Sequence, residues 1–264
     1  ALTWWLTAAT PPIPTDRQLA AMSSIVLVHG AWSAAWAWRD FREQLTRDGT
    51  TVFAPTLTGV GERRHLLTRK IELEDHIRDI CEVLFMEDLH DVVLVGHSYG
   101  GMVITGAADR MPARVRHLVY VDAFLPDDGE CVFDLMPSAQ IAMIRDDVDR
   151  HGAGWLIPAP PLPADTPPEA VQFAQQRRGP QPMQTFTSPI ELTGRCRSLP
   201  TTYVYCTRTN VHDTFSLSAQ RARERATCQF LALDASHNPH LTQSRALLKI
   251  LQTCQSGHAT GVES

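Results

Sequence analysis

Apolar positions along this chain fall into two alternating rhythms. Short, nearly unbroken apolar runs occur at Ser24–His29, Thr51–Ala54, Asp91–Gly96, Val115–Val121, Thr201–Cys206 and Thr227–Leu233. Their length and β-branched content suit strands buried on both faces of a parallel sheet. Helix-length stretches lie between them: Trp36–Arg47, Leu73–Phe85, Gly100–Arg110, Ser216–Arg225 and Leu241–Gln252. The second is the clearest, with Leu73, Ile77, Ile80 and Leu84 at helical spacing on one face. This alternation predicts an α/β fold: a mostly parallel sheet with helices on both faces.

The rhythm breaks after Pro126. Residues 127–196 are rich in Pro, Gln and Arg, and include Trp155-Leu156-Ile157-Pro158 and Pro160-Pro161. So long an interruption before the last two strands predicts a lid or cap inserted into a core made of 22–126 and 197–264. Residues 1–21 carry Trp4-Trp5-Leu6 and Pro11-Pro12-Ile13-Pro14, but neither a basic start nor a long apolar stretch. They are expected to be an N-terminal extension outside the core, with Met22 a natural start just before the first strand.

Composition narrows the function classes. The 264 residues, 44% of them hydrophobic, can bury one substantial core. A net charge of -5 gives no reason to expect nucleic acid or an anionic membrane as partner. No run reaches the ~20 apolar residues of a membrane span. The six cysteines form no CxxC pair and sit in apolar runs, which predicts buried free thiols and a reducing, cytoplasmic setting. No Cys/His spacing supports a metal site. A homo-oligomer is left open.

The chemistry centres on Gly96-His97-Ser98-Tyr99-Gly100, a G-x-S-x-G pattern between an expected strand and an expected helix. A turn this tight strains its central residue and leaves no room for bulk two positions away on either side. Ser98 Oγ then stands above the sheet beside a helix N-terminus, where developing negative charge is favoured. An oxyanion there needs two donors. The expected pair is the N–H of Tyr99 and the N–H of Ala31, in the loop His29-Gly30-Ala31-Trp32 after the first strand. A serine hydroxyl also needs a base. His237, in Ala235-Ser236-His237-Asn238-Pro239-His240 after the last strand, is the expected one. His240 competes but is expected at solvent or the pocket rim, and His97 is expected to be structural.

The orienting carboxylate has two candidates. Asp213 is the first acid after the strand Thr201–Cys206. Asp122 ends the strand after the nucleophile helix, 24 residues beyond Ser98 (122 − 98). Asp122 is preferred because a strand tip holds a carboxylate more rigidly than a long loop. Its competing role is to cap the amides of Phe124-Leu125-Pro126.

Val26–Trp32, Val95–Met102 and Ala123–Asp127 resemble the plant methylesterase and hydroxynitrile-lyase branch of the α/β-hydrolases, and more closely its bacterial carboxylesterase relatives of the pyrethroid-hydrolase type. The resemblance runs from about Ser24 to the final helix and is loose in 127–196. It implies an α/β-hydrolase fold, no cofactor, and cleavage of carboxylic esters through an acyl-serine. The family's usual acid after the penultimate strand is missing, since Thr207-Arg208-Thr209-Asn210 holds none. Haloalkane dehalogenases, which share the fold, carry theirs at the strand end that Asp122 matches. Where the lyases have a threonine in the oxyanion loop and a lysine after the histidine, this chain has Ala31 and Asn238, which favours ester hydrolysis.

The expected partner is a small apolar ester-like substrate, with Trp32, Phe124 and Trp155 as its contacts. Two other readings stay open. One is a cyclase, thioesterase or lyase-like catalyst on a biosynthetic, polyketide-like substrate. The other is a non-catalytic small-molecule receptor.

Overall fold

The computed structural model describes residues 24–208 and 213–256. The expected extension, 1–21, lies outside the described residues, as do Thr209 and Asn210. The elements run β1 Ile25–Val28, α1 Arg39–Arg47, β2 Val52–Phe53, α2 Leu73–Met86, β3 Val92–His97, α3 Gly100–Arg110 and β4 Val115–Val121. Then come α4 Ser138–His151, β5 Leu156–Ile157, α5 Pro168–Gln175, β6 Gln181–Pro182 and α6 Gln184–Thr187. The chain returns through β7 Thr201–Cys206, α7 Ser216–Glu224, β8 Cys228–Leu233, α8 Pro239–Thr242 and α9 Ser244–Ser256.

Six strands form one sheet in the order β2-β1-β3-β4-β7-β8, and every pairing in it is parallel. The two-residue strands β5 and β6 pair antiparallel by themselves. Alternate residues of the central strands face opposite layers, as the pleat requires. Ile25, Leu27, Val93, Val95, Val119 and Val121 pack with Phe41 and Leu45 of α1 and with Leu247 and Leu251 of α9. Val26, Val28, Leu94, Leu118 and Tyr120 pack on the other face with α2 and α3. The unbroken apolar runs are therefore the signature of a sheet covered on both sides. Helix α3 runs through the interior, and Arg110 alone of its eleven residues escapes burial.

Two details differ from the sequence expectation. The helix expected over Leu241–Gln252 is two helices, α8 and α9, separated at Gln243. The segment between β4 and β7 holds regular structure that its composition does not announce. Helix α4 buries only Val148 among fourteen residues, so it has almost no apolar stripe to read. The end of this segment is tied to the core by Asp109 of α3, whose carboxylate accepts from the Thr193 N–H at 2.6 Å and the Cys196 N–H at 3.1 Å. All six cysteines are free thiols.

Candidate active site

The site sits at the carboxyl ends of β1, β3, β4 and β8, where an open parallel sheet offers a crevice. Ser98 follows β3 directly and takes φ +55, the left-handed region that disfavours a side chain. The crowding that enforces the turn is explicit. A Cβ on Gly96 would lie 2.6 Å from the Gly100 carbonyl oxygen, and one on Gly100 would lie 2.7 Å from that of Val28. The turn is locked by hydrogen bonds from the N–H groups of Gly101 (3.0 Å) and Phe124 (3.2 Å) to the Ser98 carbonyl.

The residues expected at the two ends of the chain meet at Ser98. Ser98 Oγ and His237 Nε2 are 3.0 Å apart. On the other side of the imidazole, Nδ1–H donates to Asp122 Oδ2 at 2.7 Å. That bond fixes the tautomer and leaves Nε2 free to accept the serine proton. Asp122 is itself held: it is buried, has φ +43 at the end of β4, and its Oδ1 accepts from the Cys206 N–H at 3.1 Å. It does not cap the amides after it, because Phe124 N–H goes to Ser98 and Leu125 N–H goes to Ser218 Oγ at 3.0 Å.

Asp213 is engaged elsewhere. It accepts from the Tyr205 hydroxyl at 2.6 Å and from the Phe215 N–H at 3.2 Å. The Phe215 ring, two residues further on, stacks on His237 with centroids 5.0 Å apart.

Three further histidines surround the pair, and burial keeps each of them neutral. His97 does not reach Ser98 Oγ; its Nε2–H donates to the His237 carbonyl at 2.7 Å, so it braces the backbone of the relay. Burial, then the neighbouring His237 and His240 rings, push its pKa well below the usual imidazole value. His240 is buried and not at solvent: α8 begins at Pro239 and carries the ring onto Trp38, at 4.6 Å. Burial, with His237 beside it, pushes its pKa down to about 3. His29 accepts the Leu57 N–H on Nε2 at 3.1 Å, and burial lowers it to about 4.

The loop after β1 lies against the elbow, because a Cβ on Gly30 would come within 2.9 Å of Ser98 Cβ. Ala31 borders the cavity that opens on Ser98 and His237. Among the described residues, the N–H groups of Ala31 and Tyr99 have no backbone acceptor outside helices and strands. The Tyr99 side chain points away into the core, where its hydroxyl and His76 Nδ1 are 2.9 Å apart. His76 Nε2–H donates to the Thr58 carbonyl at 2.8 Å, so the tyrosine is the donor to the neutral ring.

Of the three expected substrate contacts, Trp32 and Phe124 border cavities that open on Ser98. Trp155 borders neither. It packs against Arg69, whose guanidinium carbon is 5.5 Å from its ring, and its neighbour Ile157 faces the site in its place. Sequence reasoning missed Phe186, which stacks on Tyr99 at 5.6 Å, and Phe215, both of which border the site. Phe186 lies in the four-residue helix α6, too short to give a periodic signal. No His/Cys/Asp/Glu group among the described residues is arranged to hold a metal ion. No helix among them is long and apolar enough to cross a membrane.

Comparison with known proteins agrees with this architecture. A carbendazim-hydrolyzing esterase from a Nocardioides species is 40% identical over 182 residues, covering 66% of this chain and 75% of that protein. Methylesterase 7 of Arabidopsis thaliana is 38% identical over 104 residues, 39% of this chain and 40% of its own length, so the match spans well under half of the plant protein. Among solved structures, an extracellular alpha/beta-hydrolase from Paenibacillus superposes with a TM-score of 0.76 at 23% identity, covering 88% of this chain and 99% of that one. Residues 25–250, from the first strand of the sheet into the last helix, match the alpha/beta hydrolase family, and the chain belongs to it.

Proposed function

We propose that the protein is a serine carboxylesterase that cleaves esters of apolar small molecules through an acyl-serine intermediate. The observation that carries this reading is the continuous relay Ser98 Oγ, His237 Nε2, His237 Nδ1, Asp122 Oδ2, with links of 3.0 and 2.7 Å. Esterase names among the relatives support the same class.

Ser98 Oγ attacks the ester carbonyl while His237 takes its proton. Asp122 holds the imidazole and stabilises the imidazolium that forms. The N–H groups of Ala31 and Tyr99 receive the oxyanion. His237 then protonates the departing alcohol, and water attacks the acyl-serine by the same route in reverse. Trp32 and Phe124 supply apolar contact. In this reading residues 127–196 form a lid whose Pro160–Pro163 stretch covers Ser98, and the flanking segments form the core. Ala31 and Asn238 support hydrolysis over cyanohydrin cleavage, as the sequence comparison with the lyases implies.

The test is Ser98→Ala against wild type on a p-nitrophenyl ester, together with labelling by a fluorophosphonate. Wild type is expected to be labelled at Ser98, and the variant to lose both label and turnover. Full activity in the variant overturns the reading.

A further inference from the structure

Two adjoining cavities open on Ser98 and His237. The first, about 560 Å³, extends towards α1 and α5 and is walled by Trp36, Ala170 and Phe173. The second, about 520 Å³, extends towards α4 and α7 and is walled by Phe124, Ile144, Phe186 and Phe215. Pro160, Pro161, Leu162 and Pro163 border both cavities, as does Trp32.

This shared stretch is stiff. Three of its four residues are prolines, whose rings fix φ. It is also tied at both ends: Arg178 donates to the Pro160 carbonyl, and the Thr166 N–H donates to that of Pro163 at 3.0 Å. The Trp32 indole N–H donates to the Ile157 carbonyl at 3.0 Å, which holds the chain just before it.

We infer that the substrate is an ester with an apolar arm of ring or medium-chain size on each side of the carbonyl, one arm lying in each cavity and the reacting carbon at their junction over Ser98. The inference rests on the esterase reading and adds to it the shape of the substrate. Each cavity is by itself in the range of a small-molecule pocket, roughly 300–1,000 Å³. A methyl group is close in size to a water molecule, whose share of liquid is about 30 Å³. A methyl ester would therefore fill one cavity and leave the aromatic wall of the other wet. Of the four charged side chains bordering the first cavity, Arg178 is turned to the Pro160 carbonyl, Arg39 and Asp40 pair with each other at 2.9 Å, and Glu169 is exposed. That favours an uncharged arm there.

The experiment measures kcat/KM on methyl 2-naphthoate, 2-naphthyl acetate and 2-naphthyl hexanoate, in wild type and in Ala170→Trp and Ile144→Trp, which fill the first and the second cavity. Each methylene that enters an apolar wall is expected to raise kcat/KM about fourfold, so the step from acetate to hexanoate gains roughly two orders of magnitude. One substitution is expected to abolish that gain, and the other to depress the naphthyl arm instead. Stoichiometric labelling of Ser98 by a small fluorophosphonate checks that each variant is folded.

If methyl 2-naphthoate matches the two-armed ester in wild type, or if both substitutions act on the same arm, the two-compartment assignment is overturned while the esterase stands. Failure of wild type to be labelled or to cleave any of the three esters instead removes the esterase reading, and this inference with it.

Discussion

Below Ser98 the chain is packed so tightly that single atoms matter, whereas between β4 and β7 tight packing is confined to a few points. In the floor, an added Cβ would come within 2.6 Å of backbone at Gly96 and within 2.1 Å at Gly101. Ser98, Asp122 and Trp32 are all held at positive φ. The layer from 127 to 196 is tight at one turn, where a Cβ on Gly152 would lie 1.8 Å from the Leu156 carbonyl oxygen and Ala153 has positive φ, but elsewhere it is open: α4 buries Val148 alone, α5 buries Ala174 alone, and a Cβ on Gly129, Gly154 or Gly179 would meet nothing within 4 Å. The difference separates two tasks. Positioning a serine, an imidazole and a carboxylate to a few tenths of an ångström needs over-determined backbone. Shaping a pocket needs side chains on elements that can vary without disturbing the sheet. Substitutions in the floor should therefore damage turnover or stability, and those in the upper layer should retune selectivity.

The largest effect tests which aspartate belongs to the floor. Asp122→Asn keeps the shape but places an amide against His237 Nδ1, which favours the wrong tautomer. A loss of about 10⁴-fold in kcat is expected. Asp213→Asn replaces only one of the two oxygens that accept from Tyr205 and Phe215 and is expected to cost about tenfold or less in steady-state assays on a p-nitrophenyl ester. Equal losses in the two variants would put the acid on the wrong side of the comparison.

The next effect concerns the histidines buried around the relay. His29 and His240 are neutral when folded, with pKa values lowered to about 4 and about 3, against about 6.5 in the unfolded chain. Between these limits the unfolded state binds more protons, so stability is full above pH 6.5 and falls as the pH is lowered. His29 alone is expected to account for about 3 kcal/mol by pH 4. Urea melts at pH 7.5, 5.5 and 4.5 measure the slope. Among the described residues His240 Nδ1 has no hydrogen-bond partner, so His240→Phe should keep the packing on Trp38 and flatten the acid limb. An unchanged slope would mean that acid attacks the protein elsewhere.

The same contrast explains what could be read from sequence. The sheet strands and the elbow were legible, as was the placement of His237 and Asp122 after strand ends, because each shows in residues close by in sequence: an apolar run, flanking glycines, a strand tip. The upper layer was not. Helix α4 presents too few apolar positions to declare itself, and β5, β6 and α6 have two to four residues each. Trp155 borders neither cavity and packs on Arg69, far away in sequence. His240 is buried by Trp38, another distant contact that no local pattern encodes.

The smallest effects come from a matched pair of substitutions, one in each region. Gly101→Ala pushes a methyl into the Phe124 carbonyl, which is backbone and cannot swing aside. Overpacking of this kind costs roughly 1–3 kcal/mol. Because the Phe124 N–H is bonded to the Ser98 carbonyl, the shift should travel into the elbow and lower kcat as well. Gly179→Ala meets open space, so its expected effect on urea-melt stability is within about 0.5 kcal/mol, with a small gain from the stiffer unfolded chain. The comparison fails if the two alanines cost the same, for then the upper layer is as tightly determined as the floor and its freedom to retune the pocket is lost.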